Sequence, residues 1–266
     1  MIKDLKRFVF IDTMRLHITI HKILFCLVFF GIFGCLDKNL IEYEYYKTGE
    51  IKSKVKINSD SIPFGLYEEY YKSGEPKIRA TYTNGRILDT VIHFYKNGSI
   101  KEKGLLKEGK KYKWWKSYDS LGNFKKVTEY VIIDEGRSSY ENQIKTMENG
   151  VVNLKKSSFF ELNVPDTLFL GKNLGKIDYY SNLKADKKYI LVIVENQYSD
   201  TEVRRDTFSE DSNSLRFGIY AHKTGSKRIV GEIIEKLVDT TKTNKDSLEL
   251  VVNEYRKYFE KDVFVQ

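Results

Sequence analysis

The sequence predicts an all-β protein, with an N-terminal array of β-hairpin repeats, a small β-sandwich-like domain after it, and a signal helix at the N-terminus. Glycines that recur about every 24 residues predict the hairpins, and short β-branched and aromatic runs between 158 and 265 predict the second domain. An uncharged apolar run at 23–33 predicts the signal helix. The predicted order is signal peptide 1–34, tether 35–41, repeats 42–135 and β-sandwich-like domain 140–266.

The composition is that of a globular protein. The chain has 266 residues, of which 41% are hydrophobic and 31% are charged, and its formal net charge is +8. These values exclude extended disorder, and 3 Pro beside 19 Tyr and 16 Phe exclude a collagen-like chain. Two Cys and four His leave few side chains for a zinc site or for Cys or His nucleophilic chemistry. The composition therefore points away from an enzyme.

The first 35 residues have the order of an export signal. The run ILFCLVFFGIF at 23–33 is shorter than the roughly 20 apolar residues that a membrane-spanning helix needs. Basic residues precede it and Gly34-Cys35 follows it, which resembles a bacterial lipobox. The resemblance implies cleavage before Cys35 and lipid attachment to that cysteine, with Met14 as a possible true start. The alternative is a buried apolar helix that carries two incidental cysteines.

The repeats are defined by glycines spaced 25, 24 and 24 residues apart, in segments such as YYKTGEIK at 45–52 and YYKSGEPK at 70–77. A polar run that ends in Gly, between aromatic and β-branched runs, predicts a hairpin turn in which one residue takes a positive φ. Because these glycines recur once per unit, we interpret them as structural residues of the turns. They are Gly49, Gly74, Gly98 and Gly122.

Two aromatic or bulky positions keep the register of the glycines, one lying four residues before all four of them and one lying seven residues before the last three. These positions are three residues apart, so on a straight strand their side chains face opposite sides. The sequence leaves two alternatives open: both faces of the sheet are covered, or each strand contains a bulge. The residues are Tyr45, Tyr70, Phe94 and Tyr118 at the first position, and Tyr67, Val91 and Trp115 at the second.

The units resemble the bacterial variant of the MORN repeat, which reads aromatic, aromatic, x, x, Gly, x, aliphatic, Lys. The resemblance covers residues 42–133 and departs from the family at Asp89, which replaces the second glycine of an Asn-Gly-x-x-x-Gly link. It implies a β-hairpin array that serves as a binding or scaffolding surface. Because such repeats occur in YwqK-type antitoxins, the resemblance also implies an antitoxin or immunity role as an alternative.

The second half of the chain lacks the repeat. A polar segment at 134–139 is interpreted as a linker, with a new domain beginning near Tyr140. Strand-like runs without helical periodicity favour a sandwich. The segments RIVGEIIEKLVD and YFEKDVFV resemble the closing strands of small β-sandwich domains in envelope proteins of the Bacteroidetes group. The predicted strands are 158–164, 177–180, 189–195, 215–221, 229–238, 248–253 and 258–265.

No catalytic or metal-binding pattern is evident. His93 and His222 lie in different predicted domains and outside any HExxH arrangement, and neither a Gly-rich phosphate loop nor a GxSxG elbow occurs. The acidic segment 200–211 is interpreted as a solvated loop, because its spacing does not match a calcium loop. We therefore expect no cofactor, no metal and no catalytic residue.

A basic aromatic patch in the fourth unit is the candidate contact surface. Trp115 shares its position with Tyr67 and Val91 and is expected to be buried, whereas Trp114 matches Leu66 and Thr90 and is expected to be exposed. Lysines beside amphipathic rings bind anionic lipid head groups, acidic glycans or single strands of nucleic acid. The alternative is that the lysines only keep an outer face soluble. The candidate residues are Tyr112, Trp114, Lys110, Lys111, Lys113 and Lys116.

These observations lead to one main hypothesis and two alternatives. The main one is a lipid-anchored protein of the cell envelope, on the outer membrane and facing the periplasm or the cell surface, whose repeat array is a non-catalytic binding or scaffolding module. Its partner is expected to be a protein or another envelope component, and the modest charge does not favour nucleic acid. The alternatives are an antitoxin or immunity protein and an envelope hydrolase with dispersed carboxylates.

Overall fold

A computed structural model describes residues 40–87, 89–210, 212–244 and 247–266 of the chain. The fold is all-β, and the described residues form two sheets. The helical segments among them are two single 3-10 turns, Asp134–Gly136 and Leu154–Lys156. No helix in this part of the chain is long and apolar enough to cross a membrane. The predicted signal helix and Cys35 lie outside the described residues.

The first sheet is a meander in which each strand pairs with the next along the chain, except that β5 pairs with β4 alone. All of its pairings are antiparallel, as hairpin repeats require. Its strands are β1 Leu40–Tyr45, β2 Ile51–Ile57, β3 Pro63–Tyr70, β4 Pro76–Thr83, β5 Arg86–Ile87, β6 Thr90–Phe94, β7 Ile100–Lys107, β8 Lys110–Tyr118, β9 Phe124–Ile133, β10 Ser138–Glu148 and β11 Val151–Val152.

The four repeat turns have the same geometry, which confirms the hairpin interpretation. The turn glycines have φ between 83° and 99°, in the region that glycine occupies without steric strain. In the third unit the Gly98 N–H donates to the Tyr95 carbonyl, and the Tyr95 N–H donates to the Ser99 carbonyl. The equivalent bonds recur in the other three units. The turns join β1 to β2, β3 to β4, β6 to β7, and β8 to β9.

Each of these hairpins also contains a bulge at the same place, directly before the aromatic that precedes the glycine by four. The register shifts at Glu44/Tyr45, Glu69/Tyr70, His93/Phe94 and Ser117/Tyr118. The extra residue lies in the second strand of each hairpin, for example Lys77 in β4, whereas both repeat positions lie in the first strand. The bulge therefore leaves the alternation along the first strand unchanged, and the two alternatives left by the sequence stay open.

A tyrosine ladder links successive repeats. The tyrosine three residues before each of the first three turn glycines donates its hydroxyl to a carbonyl of the next unit, over 2.7, 2.8 and 3.0 Å. The fourth unit has Asp119 at this position, and its carboxylate instead accepts N–H bonds within its own turn. The pairs are Tyr46 with Tyr70, Tyr71 with Phe94, and Tyr95 with Tyr118.

Gly98→Val should lower the free energy of unfolding by about 1–3 kcal/mol, because a β-branched residue would be held at a φ of 83°. A Cβ at this position meets no atom within 4 Å, so the effect isolates backbone strain. Thermal or denaturant unfolding followed by circular dichroism measures it. Leu121→Val is the control, because Leu121 lies in the equivalent turn of the fourth unit, is 86% exposed and has no positive φ. Equal stability of Gly98→Val and Leu121→Val would contradict the assigned turn geometry.

The array has a narrow apolar core centred on Trp115, which packs with Ala80 and Val91 from other units. The indole N–H donates to the Leu105 carbonyl over 2.9 Å. A Cβ on Gly104 would come within 2.4 Å of the Trp115 ring, so the ring lies directly over the glycine of the paired strand. Burial of Trp115 at 1% exposure confirms the expectation from the repeat register.

The first sheet continues beyond the segment that the sequence marks as a linker. After the 3-10 turn Asp134–Gly136, β10 pairs with β9 from Ser138 to Thr146, and β11 pairs with β10. The sheet therefore ends at Val152 rather than before Tyr140. The polar segment is a tight connection between neighbouring strands, which uses the same residue types as a linker.

The second sheet curls so that its inward faces share one core. Its two halves are antiparallel apart from the short parallel pairing of β13 with β19, and they meet at a single parallel bridge between Gln197 and Ala221. Phe217, Ile233 and Val265 lie in that core with residues from both halves, which makes the fold sandwich-like. The strands are β12 Phe159–Asn163, β13 Thr167–Leu168, β14 Gly171–Tyr180, β15 Lys187–Gln197, β16 Val203–Glu210, β17 Ser214–Ala221, β18 Gly225–Asn244 and β19 Ser247–Val265.

Two sequence predictions for this half were wrong. Most of the acidic segment 200–211 is not a loop but strand β16, which pairs only with β15. An edge strand with exposed charged side chains lacks the apolar alternation by which strands are recognised. The runs 248–253 and 258–265 form one strand, β19, because the polar residues between them remain paired with β18.

Candidate functional site

The candidate site is a cleft of about 790 Å³ lined by residues of both sheets. Aromatic rings and a few polar groups line it, the usual combination in a binding pocket of this size. From the first sheet these include Lys107, Tyr112, Lys113, Trp114, Glu129 and Gln143, and from the second sheet Phe160, Tyr258, Phe259 and Glu260.

A bulge in β8 places Trp114 in the cleft. Between β7 and β8 the register shifts so that Leu105 pairs with Tyr112 while Lys103 pairs with Lys116. Lys113 lies at this irregularity with φ of 55°, a conformation in which a side chain other than glycine is strained. The equivalent position of the second unit is Gly65, with φ of 70°. The fourth unit therefore carries a lysine where another unit uses glycine, and strain of this kind is concentrated at functional sites.

The two neighbouring indoles have opposite environments. Trp114 is 40% exposed in the cleft, while Trp115 is fully buried in the core of the array. Leu66, at the position of Trp114 two units earlier, is 46% exposed and does not line the cleft. The exposure of Trp114 agrees with the sequence expectation, and its role in contact stays a prediction.

The predicted basic patch is divided between different surroundings. Tyr112, Lys113 and Trp114 line the cleft, whereas Lys110 and Lys116 are not among its lining residues. Lys111 is not a free surface charge, because its ammonium lies 2.5 Å from a carboxylate oxygen of Glu102 and 4.4 Å from the Trp115 ring.

Glu102 contacts a histidine and a lysine on the face of the array that contains Trp115. Its carboxylate hydrogen bonds with Nδ1 of His93 at 2.8 Å and also pairs with Lys111. The His93 bond and the Lys111 charge together lower the pKa of the Glu102 carboxyl to about 2. His93 also packs against Trp115, with ring centroids 5.6 Å apart. This histidine is therefore part of the array's packing.

Asn142 joins the two sheets beside the cleft. Asn142 is 1% exposed, and its side-chain amide pairs with the backbone of β19 as a neighbouring strand would. Its Nδ2 donates to the Tyr258 carbonyl over 2.8 Å, and its Oδ1 accepts from the Tyr258 N–H over 2.6 Å. The Tyr140 hydroxyl donates to the Arg256 carbonyl over 2.8 Å. These bonds satisfy β19 backbone groups where the first sheet meets the second.

The polar groups of the cleft are held by the same network. Oε2 of Glu129 accepts from the amides of Asn142 and Gln143, over 2.6 and 2.7 Å. Gln143 in turn accepts from the Phe160 N–H over 3.0 Å. These bonds fix the orientation of the Glu129 carboxylate.

Lys257 is a buried charge behind this junction. Its ammonium donates to the Asn142 carbonyl over 2.8 Å, and burial lowers the pKa of the lysine to about 8. The sandwich-like domain contains a second buried charge, Glu235, which accepts from the hydroxyls of Tyr179 and Ser181. Neither residue lines the cleft.

Acidic and histidine side chains do not converge elsewhere in the described part of the chain. No group of three His, Cys, Asp or Glu residues there could hold a metal ion. His222 pairs with Asp200, which also pairs with Lys223. The prediction that the protein uses no metal or cofactor stays a prediction.

The sequence did not indicate the part of the site that comes from the second half. Three of these residues, Gln143, Phe160 and Tyr258, lie far apart along the chain. The strands that contain them have the residue composition that is usual for β-strands, so little in their sequence marks a site. Their only local signal is Asn142-Gln143, two amides in the middle of an otherwise ordinary strand.

Comparison of this chain with models of protein families, with curated proteins and with solved structures finds no match.

Proposed function

We propose that this protein is a lipid-anchored, non-catalytic binding module of the cell envelope, and that the cleft between its two sheets is the binding site. The observation that carries the proposal is Trp114, an indole that remains 40% exposed in a cleft although the repeat pattern does not require an aromatic there. Exposed tryptophans in such positions are typical of contact residues. The array supplies the indole, and the second domain supplies the opposite wall.

The acids of the cleft are held in place by neighbouring groups. The Glu129 carboxylate accepts N–H bonds from the amides of Asn142 and Gln143. A carboxylate oxygen of Glu260 lies 3.7 Å from the Arg228 guanidinium. Carboxylates oriented in this way are suited to accept hydrogen bonds from a ligand.

The anchor is tested separately from the cleft. Labelling of cells with a fatty-acid analogue should mark the wild-type protein and leave Cys35→Ser unlabelled, because the cysteine thiol is the proposed attachment point. Cys26→Ser, which changes the other cysteine, is the matched control and should keep the label. Equal labelling of the wild type and Cys35→Ser would contradict the anchor.

The cleft is tested with a photo-crosslinking residue at position 114 in intact cells. A component of the envelope should be captured from this position, because the side chain projects into the binding site. The same residue at position 66 is the control, since Leu66 has the same place in the repeat and similar exposure but lies outside the cleft. Trp114→Ala should weaken association with the captured component at least about tenfold. Equal capture from both positions would contradict the cleft as the site.

A further inference from the structure

We propose that the ligand of the cleft is an acidic oligosaccharide, a short sugar chain that carries carboxylates or sulfates. The inference rests on the proposed binding function and names the class of molecule that fits the site. Three properties of the cleft support it: the charges that remain without partners, the flat aromatic surfaces, and the hydrogen-bond acceptors beside them.

Two cations of the cleft have no acidic partner. The ammonium groups of Lys107 and Lys113 each lie 5.5 Å from the Tyr112 ring centroid. Within the described residues neither has a carboxylate at ion-pair distance, whereas Glu260 lies near the Arg228 guanidinium and Glu129 is held by neutral amides. Two lysines on one ring are therefore available for an anionic ligand.

Lys113 reaches this position at the expense of backbone strain. Its φ of 55° is one that Gly65 adopts at the equivalent position without a side chain. A glycine would satisfy the fold of the bulge, so the strained lysine contributes something that the fold does not need. An ammonium group beside Tyr112 is that contribution.

The remaining lining fits a sugar better than other anions. The rings of Trp114 and Tyr258 can stack on the apolar faces of sugar rings, and the Glu129 carboxylate can accept from hydroxyl groups. An acidic peptide has no rings that carry several hydroxyl groups, so it would not supply the donors that the Glu129 carboxylate can accept. A planar bilayer surface does not fit into a cleft that is lined from both sheets.

The test measures binding to the full-length protein by calorimetry and by tryptophan fluorescence. The probes are tri-galacturonate and a hyaluronan tetrasaccharide, with neutral galactotriose as the comparator. We expect the acidic sugars to bind at least about tenfold more tightly than galactotriose, and this preference should disappear when Lys107 and Lys113 are both changed to Gln. The double change of Lys110 and Lys116 to Gln is the matched control and should keep the preference, since neither lysine lines the cleft.

The outcomes separate the ligand class from the proposed function. Binding of neither acidic sugar, or equal binding of the acidic and neutral sugars, would overturn the acidic oligosaccharide. So would binding to phosphatidylglycerol vesicles that depends on Lys107 and Lys113 when neither sugar binds. If position 114 still captures an envelope component in any of these cases, the binding function stands and only the ligand class is wrong.

Discussion

Trp115→Ala is expected to lower the free energy of unfolding by about 3–5 kcal/mol, the largest effect of any single change discussed for this chain. The indole is 1% exposed and is the centre of the apolar core of the array, which otherwise consists of small or partly buried residues. Its removal leaves a cavity over Gly104 and frees the Leu105 carbonyl. Because the neighbouring strands are a single layer there, few other side chains can fill the space.

Guanidinium unfolding followed by far-ultraviolet circular dichroism measures this change. Trp114→Ala is the matched control. It removes the same kind of side chain at the preceding residue, where the indole is 40% exposed. It should change stability by about 1 kcal/mol or less while it weakens binding. Similar destabilisation by the two variants would place both indoles in the core and remove the basis for the binding site.

Asn142→Leu should lower the free energy of unfolding by about 2–4 kcal/mol. Leucine has a similar size but cannot bond the backbone, so the N–H and carbonyl of Tyr258 would be left without the partners that they have across the junction. Glu129 would also lose one of its two amide donors. The junction beside the cleft should therefore loosen more than either sheet.

Hydrogen exchange locates the effect of this change, since the Tyr258 amide should lose protection in Asn142→Leu before the core of the second sheet does. Asn163→Leu is the control, because Asn163 is an exposed asparagine on β12 whose side chain bonds only the Asp178 carboxylate. It should leave stability and exchange nearly unchanged. Unaltered protection of Tyr258 in Asn142→Leu would show that the sheets are held together by other contacts.

The array could be predicted from the sequence because its determinants are local. Each turn is specified by a few residues around one glycine, and repetition at Gly49, Gly74, Gly98 and Gly122 makes the pattern visible without knowledge of the contacts. The burial of Trp115 followed from its repeat position alone. The tyrosine ladder could have been found from the same register, because Tyr46, Tyr71 and Tyr95 share one position.

The cleft could not be predicted, because its walls are brought together by contacts between distant segments. Trp114 and Tyr258 are separated by more than half of the chain, and nothing in either local sequence specifies the other. Asn142 can be polar and buried because its side chain bonds the backbone of β19. Every residue type has the same backbone groups, so the sequence of β19 does not show that Asn142 binds there. Strand β16 was missed for a related reason. It pairs with β15 along one edge and most of its side chains are exposed, so its residues need not be apolar or alternate in polarity.

The tyrosine ladder also determines how rigidity is distributed along the array. In the sheet each unit pairs with the units on either side of it, so the cooperativity of the array depends in part on the bonds that pass from one unit to the next. Among the described residues strand β1 has one neighbouring strand and no buried residue, while β8 lies between two strands and carries Trp115. Fraying therefore begins at β1 and becomes harder with each hydroxyl bond toward β8. The wall that presents Trp114 is therefore expected to be stiffer than β1, the first described strand of the array.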